Sequence, residues 1–251
     1  MNEALKLSHI NVSIGKKQIL CDVSLAVNKG EICAILGANG SGKSTLLKAI
    51  LGHLAYSGGM ALNGECADKL SIKERARIVS YVPQSHHINF PYNVLEVVLM
   101  GRFSHSALMY HSGDKQKAIE SLEMLGIAHL SVQTYSRLSG GQKQLVLIAR
   151  SLAQDTPIIV LDEPVSALDI SHSFRLLEIL SQLTDKSIII TSHHPEQCFI
   201  AHKIAMTKDG RLLHYGTPKE TLCESHIKQL YGIDTQSVVL PNGGVYFCAK
   251  K

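Results

Sequence analysis

EICAILGANGSGKSTLLKAILG, residues 31–52, decides the fold. Ile32 to Leu36 is a short unbroken apolar run, the pattern of a strand covered on both faces, and Thr45 to Leu51 reads as a helix that stops at Gly52. Between them, Gly37-Ala38-Asn39-Gly40-Ser41-Gly42-Lys43-Ser44 satisfies G-x-x-x-x-G-K-[ST], a phosphate-binding loop when it joins a strand to a helix. The glycines let successive backbone N–H groups wrap phosphate oxygens without Cβ clashes, and the helix start adds the positive end of its dipole. Lys43 supplies a full charge to the β- and γ-phosphates, Ser44 supplies a hydroxyl for Mg²⁺, and Thr45 opens the helix. A glycine turn that binds nothing is the plain alternative. By average composition the pattern arises by chance in roughly one chain of this length in a hundred, and the strand-loop-helix setting lowers that further.

Two more apolar runs end in reactive side chains. IIVLDEP (158–164) closes on Asp162 and Glu163, and SIIITSHH (187–194) closes on His193 and His194. Ligands of open α/β sheets sit at such strand ends. Asp162 suits a water-mediated hold on Mg²⁺, and Glu163 suits a general base for an attacking water, a role worth about 10²–10⁴ in rate. An acidic helix cap before Pro164 is the competing account of the pair, and a histidine at a strand end is ordinarily just satisfied polar structure. The His86-His87 pair lacks the carboxylates or cysteines that would make it a metal site.

The rest of the chain frames these strands. The first thirty residues alternate apolar and polar, as in short half-buried strands; Ser57 to Gly59 marks a turn, and Met60–Asn63 and Ile78–Val82 read as β. From about Phe90 to Ala153 the period becomes helical: Asn93 and Glu96 form a capping-box pattern, Ala118, Leu122 and Leu125 recur down to Gly126, and Leu145, Ile148, Ala149 and Leu152 make a second stripe. Asp209-Gly210 suggests a hairpin, and Thr217-Pro218-Lys219-Glu220 a capped helix start. The expected fold is α/β, a phosphate-loop core with a parallel sheet, an N-terminal antiparallel β subdomain and an inserted α-helical subdomain. The expected partition of residues 1–251 is a core of 1–88 and 151–251 with a helical subdomain at 89–150.

Composition narrows the function. The chain has 251 residues, 45% of them hydrophobic, and a formal net charge of +4 with no block of like charges, which argues against a nucleic-acid surface. Six scattered cysteines without C-x-x-C pairing suit reduced cytosolic thiols. The N-terminus lacks the apolar core of a signal peptide, and runs such as Val94–Met100 fall short of the roughly 18 residues of a membrane span. Any membrane role is then exercised from the cytoplasmic face, through something else.

Leu138-Ser139-Gly140-Gly141-Gln142 stands directly before the second helical stripe. Ser139 takes the N-cap position, and the glycines bare N–H groups at a second anion-binding helix end. A bare five-residue match occurs by chance in fewer than about one chain in a thousand. With the phosphate loop in the same chain, coincidence is out of contention.

Together these motifs resemble the ATP-binding subunits of ABC transporters over nearly the whole chain. GANGSGKS resembles the Walker A motif, Gln84 in YVPQ the Q-loop glutamine, LSGGQ the signature motif, VLDEP Walker B, Ser166 to Asp169 (SALD) the D-loop, and His193 the switch histidine, all in the family's order. The resemblance implies ATP and Mg²⁺ as cofactors, with Ser44, Gln84 and Asp162 at the metal and Lys43, Gln84, Glu163 and His193 in the catalytic set. It implies a head-to-tail homodimer in which Ser139, Gly140, Gly141, Gln142 and Asp169 complete the partner's site. It also implies two polytopic permease subunits, a substrate-binding protein reached only through them, and a peripheral position on the cytoplasmic face of the inner membrane.

PYNVLEVVLMGRFSH (91–105) and QLVLIARSLAQ (144–154) resemble the importers of iron-siderophores, haem and vitamin B12, and Phe90 to His105 is expected to meet the permease. Importers of zinc, manganese or metal oxyanions, and soluble ABC ATPases without a transport role, are the alternatives. Three positions depart from the family. Ile14 in Val12-Ser13-Ile14-Gly15 replaces the aromatic residue that stacks on adenine, which forfeits roughly 1–3 kcal/mol of stacking. His194 stands where Asp is usual, and Val165 where Thr is usual.

Overall fold

The computed structural model describes residues 2–84, 91–105, 110–239 and 245–250. They divide into two compact units, one formed by 1–70 with 187–251 and the other by 71–186. The build is mixed α/β, with parallel strands and an antiparallel β subdomain.

In the first unit, β1 (Glu3–Ile14) and β2 (Lys17–Asn28) are antiparallel strands of twelve residues each. The alternation that suggested short strands belongs to long ones broken by bulges, where the pairing register shifts. Leu5, Leu7, Ile10 and Val12 face inward on β1. β3 (Ile32–Leu36), buried at every residue, leads through the phosphate loop into α1 (Lys43–Ile50). β4 (Ser57–Leu62) pairs with β1, and β5 (Glu65–Cys66) with β4. The expected turn at Ser57–Gly59 is therefore the start of a strand. Gly58, at φ 106°, lies over the β1 bulge so closely that a Cβ would stand 2.4 Å from the His9 carbonyl oxygen. Here the glycine serves a close backbone approach rather than a reversal.

In the second unit, α2 (Ile72–Ile78) carries a Ser71–Glu74 capping box and runs into β6 (Val79–Val82), so Ile78 ends a helix instead of opening a strand. α3 (Val94–Leu99) starts at the expected box: the Asn93 side chain accepts from the Glu96 N–H at 2.9 Å, and the Glu96 carboxylate accepts from the Asn93 N–H at 2.7 Å. α4 (Ser112–Met124) buries Ala118 and Leu122 and ends before Gly126 at φ 70°. α5 (Gly140–Ala153) is buried well beyond one stripe, with Leu145, Val146, Leu147, Ile148 and Ala149 all inside. β7 (Ile158–Asp162), fully buried, runs parallel to β6, and α6 (Ile170–Gln182) follows the SALD segment.

The chain then returns to the first unit. β8 (Ser187–Ser192) lies parallel to β3 on one side, and β9 (Lys203–Lys208) parallel to β3 on the other. β10 (Arg211–Gly216) folds back on β9 through the Asp209-Gly210 hairpin, both residues at positive φ. α7 (Pro218–Thr221), α8 (Glu224–Tyr231) and an antiparallel pair, β11 (Thr235–Val239) with β12 (Val245–Ala249), complete it. This last hairpin was not expected from the sequence, although Val245-Tyr246-Phe247-Cys248-Ala249 is an unbroken apolar run. Among the described residues, no helix is long and apolar enough to cross a membrane. All six cysteines are free. The His86-His87 pair lies outside the described residues.

Candidate active site

The phosphate loop owes its shape to its neighbours in the sheet. The Gly37 N–H donates to the Ser192 carbonyl at 3.2 Å, continuing the β3–β8 ladder into the loop. A Cβ on Gly37 would stand 2.5 Å from both the Thr207 carbonyl oxygen and the Ser41 hydroxyl, so only glycine fits there. Gly40 and Gly42 have φ of 82° and 104°, turning the chain so that Gly42 becomes the N-cap of α1 with no side chain capping that helix. A helix start left bare of side-chain caps is what an anion requires. The Ser41 and Thr207 hydroxyls lie 3.1 Å apart, and the Gly210 N–H donates to the Ser41 carbonyl at 3.0 Å. Lys43 is buried, and its ammonium donates to the carbonyls of Gly37 (2.7 Å) and Ala38 (3.2 Å). Asn39, Gly40 and Ser44 are exposed, whereas Ala38 and Thr45 are half-buried.

Two further predicted residues belong to this unit. Ile14 ends β1, is 52% exposed, and pairs with Lys17 across the hairpin. The beginning of β2 abuts the loop itself: a Cβ on Gly42 would stand 2.7 Å from Leu20 Cδ2. His193 follows β8, half-buried, its carbonyl accepting from the Tyr231 hydroxyl at 2.8 Å. The His194 ring lies 4.1 Å from it, centroid to centroid, and its Nδ1 is 3.2 Å from Glu196. Where the family's Asp is missing, a carboxylate still reaches the turn from two residues onward.

The second unit holds the other set. Asp162 ends β7 at 4% exposure and Glu163 follows at 7%. Burial, and after it the Asp162 charge, pushes the Tyr81 phenol up to about 12. Gln84 Nε2 donates to Glu163 Oε2 at 2.9 Å, which joins two residues that sequence reasoning could name but not connect. Glu163 has φ of 48°, a left-handed conformation uncommon for residues other than glycine. Its carbonyl accepts from both the Ser166 N–H (3.2 Å) and the Ser166 hydroxyl (2.9 Å).

The signature segment is a capped helix start. Ser139 caps α5, its hydroxyl accepting from the Gln142 N–H at 3.3 Å while Gln142 Oε1 accepts from the Ser139 N–H at 3.0 Å. Gly140 has open space where its Cβ would be, whereas a Cβ on Gly141 would stand 3.2 Å from the Ala167 carbonyl. The signature start thus lies against the SALD segment. Asp169 caps α6, accepting from the His172 N–H at 2.9 Å and lying 2.8 Å from His172 Nδ1. Those bonds, the backbone one first, hold its carboxyl down to about 2.

The VLMGR stretch proves structural in ways its spelling did not reveal. A Cβ on Gly101 would stand 2.2 Å from the Arg150 carbonyl, so glycine lets this segment lie on α5. Arg102 donates to Asp114 (Nε, 2.9 Å) and to the Ala153 carbonyl (Nη1, 2.8 Å). His105 Nε2 is 2.7 Å from the Gln154 carbonyl.

Ser44, Asp162 and the amide oxygen of Gln84 are hard oxygen donors, the chemistry that Mg²⁺ prefers. A family model described as ABC transporter matches residues 20–166, more than half of the chain. A hemin import ATP-binding protein of Gloeobacter violaceus is 35% identical over 92% of this chain and 88% of its own length. An iron(3+)-hydroxamate import ATP-binding protein of Bacillus subtilis is 31% identical over 98% and 94%. A solved metal-chelate type ABC transporter, in an inward-facing conformation, is similar with a TM-score of 0.86 at 30% identity, covering 100% of this chain and 98% of that one. The chain belongs to the ABC transporter ATP-binding family, and it is an ATPase.

Proposed function

We propose that this chain is the ATP-hydrolysing subunit of an importer for metal-chelates of the haem, iron-siderophore or cobalamin class. Full-length likeness to import proteins of that kind supports the reading. The observation that carries it is the phosphate cradle around Lys43, whose glycines fit only as glycines and whose helix start is uncapped by side chains.

In this reading the loop of residues 37–45 binds the triphosphate, with Lys43 and His193 on the γ-phosphate and Ile14 against the base. Bound with ATP, Mg²⁺ neutralises charge on the phosphate oxygens, and Ser44, Gln84 and Asp162 hold it. Glu163 accepts the proton of the attacking water. Two copies pair head to tail, Ser139, Gly140, Gly141, Gln142 and Asp169 of each completing the other's site. The pair serves two permease subunits from the cytoplasmic face of the membrane, with a substrate-binding protein beyond them. Residues 1–88 with 151–251 form the nucleotide-binding part of this assignment and 89–150 the helical part, where Phe90 to His105 meets the permease.

The test is reconstitution with the permease. Metal-chelates should stimulate hydrolysis where free zinc, manganese or oxyanions do not, and Glu163→Gln should bind ATP without turning it over. Brisk hydrolysis by that variant removes Glu163 from the base role. Failure to co-purify with any polytopic protein removes the transport reading.

A further inference from the structure

His193 follows Ser192, the last ladder residue of β8, and the peptide groups on both sides of its Cα are held. On one side the Ser192 carbonyl accepts from the Gly37 N–H at 3.2 Å, which ties it to the start of the phosphate loop. On the other side one peptide group is gripped at both ends. Its carbonyl, that of His193, accepts from the Tyr231 hydroxyl at 2.8 Å, and its N–H, that of His194, donates to the Ser192 hydroxyl at 2.9 Å. With both flanking peptide planes fixed, φ and ψ of His193 are fixed, and so is the direction in which its Cβ leaves the backbone. The Tyr231 hydroxyl reaches that carbonyl from 38 positions further along the chain.

Tyr231 is the last residue of α8, a helix anchored along its length. Ile227 and Leu230 are buried, the Lys208 ammonium donates to the Gln229 carbonyl at 2.6 Å, and Glu224 accepts from the Ser237 N–H of β11 at 2.8 Å. Burial above all pushes the Tyr231 phenol up, so it remains a donor throughout the neutral range. We infer that Tyr231 is a positioning residue for His193: its hydroxyl fixes the peptide group after the histidine, so that α8 and the last hairpin help to aim the imidazole. The inference rests on the γ-phosphate contact proposed for His193. Placement errors of about 1 Å in such groups cost on the order of 10²-fold in rate.

Tyr231→Phe keeps the ring and removes the hydroxyl. In the reconstituted complex it should lower kcat by about tenfold to a hundredfold, while affinity for ADP, which lacks the γ-phosphate, stays within about twofold. Lys228→Ala loosens the same helix by removing the 2.8 Å ion pair with Asp234, and should leave kcat within about twofold. With isotope-labelled histidine in the full chain, the His193 ring signal, identified by its absence in His193→Ala, should move in Tyr231→Phe. Normal kcat in Tyr231→Phe overturns the inference, and so does an unmoved His193 signal. A Lys228→Ala variant as slow as Tyr231→Phe also overturns it, leaving α8 as a brace only, as does loss of ADP affinity alongside kcat in Tyr231→Phe. His193→Ala distinguishes the two levels: if it is impaired, the Tyr231 results decide this inference alone; if it turns over normally, the γ-phosphate role falls and this inference with it.

Discussion

The Lys43 ammonium lies 2.7 Å from the carbonyl oxygen of Gly37, the first residue of its own loop. The buried ammonium is thus tied to its own loop's backbone, the Ala38 carbonyl accepting as well at 3.2 Å. Phosphate oxygens bring full charge to the same ammonium and make stronger hydrogen bonds. Lys43→Met should therefore weaken ATP binding by about 1.5–3 kcal/mol, roughly ten- to a hundredfold in Kd. Equilibrium titration with a fluorescent ATP analogue reads this, and an unchanged Kd would remove Lys43 from phosphate binding.

The Ser139 cap has two separable duties. Ser139→Ala should cost about 1 kcal/mol of stability through loss of the Gln142 bond. Ser139→Asp keeps a good N-cap and should fold as well as the unaltered chain, but it sets a negative charge where the partner's phosphate is proposed to dock. Its thermal midpoint should hold while ATP-driven dimerisation, followed by size-exclusion chromatography, is lost.

Ile14 stands half-exposed at the end of β1, with no ring to offer a base. Ile14→Tyr should tighten ATP binding by about 1–3 kcal/mol through stacking, with a smaller gain for a nucleotide whose base stacks less well. An affinity for ATP that does not move would sink the idea.

Arg102 and Asp114 form a buried ion pair, 12% and 9% exposed at the side chains, and Asp114 also caps α4 through the His111 N–H. Asp114→Ala strands the guanidinium and should cost about 3–5 kcal/mol. For a chain of this size that lowers Tm by at least about 6 °C, measurable by calorimetry.

Glu224 ties α8 to the last hairpin. The Ser237 N–H above all, then Lys250 and the Ser237 hydroxyl, hold its carboxyl down to about 2. Because the folded value is depressed, the stabilisation is complete above the ordinary value near 4.5 and is lost as pH falls towards 2. The Ser237 amide resonance should shift across that acid window, and Glu224→Gln should abolish the shift.

Much of the site is legible in the sequence because its signals are local. A phosphate cradle needs consecutive backbone N–H groups, so Gly37 to Ser44 must be contiguous, and helix caps such as Asn93–Glu96 span three residues. Strands buried on both faces, β3, β7 and β8, show as plain apolar runs. The strand at Ser57–Gly59 was misread for the opposite reason: the need for glycine at 58 lies in the His9 carbonyl, 49 positions away by number.

By itself, then, the sequence determined where the phosphate-loop pattern joins a strand to a helix and which carboxylates close a core strand, since each depends on neighbours within one turn or one strand. Only the tertiary structure decided that Gln84 bonds to Glu163, that Glu196 pairs with His194, and that Gly101 and Arg102 lock their segment onto α5. Those contacts are made by hydrogen bonds and close packing between stretches far apart in the chain, for which no local pattern carries a signal.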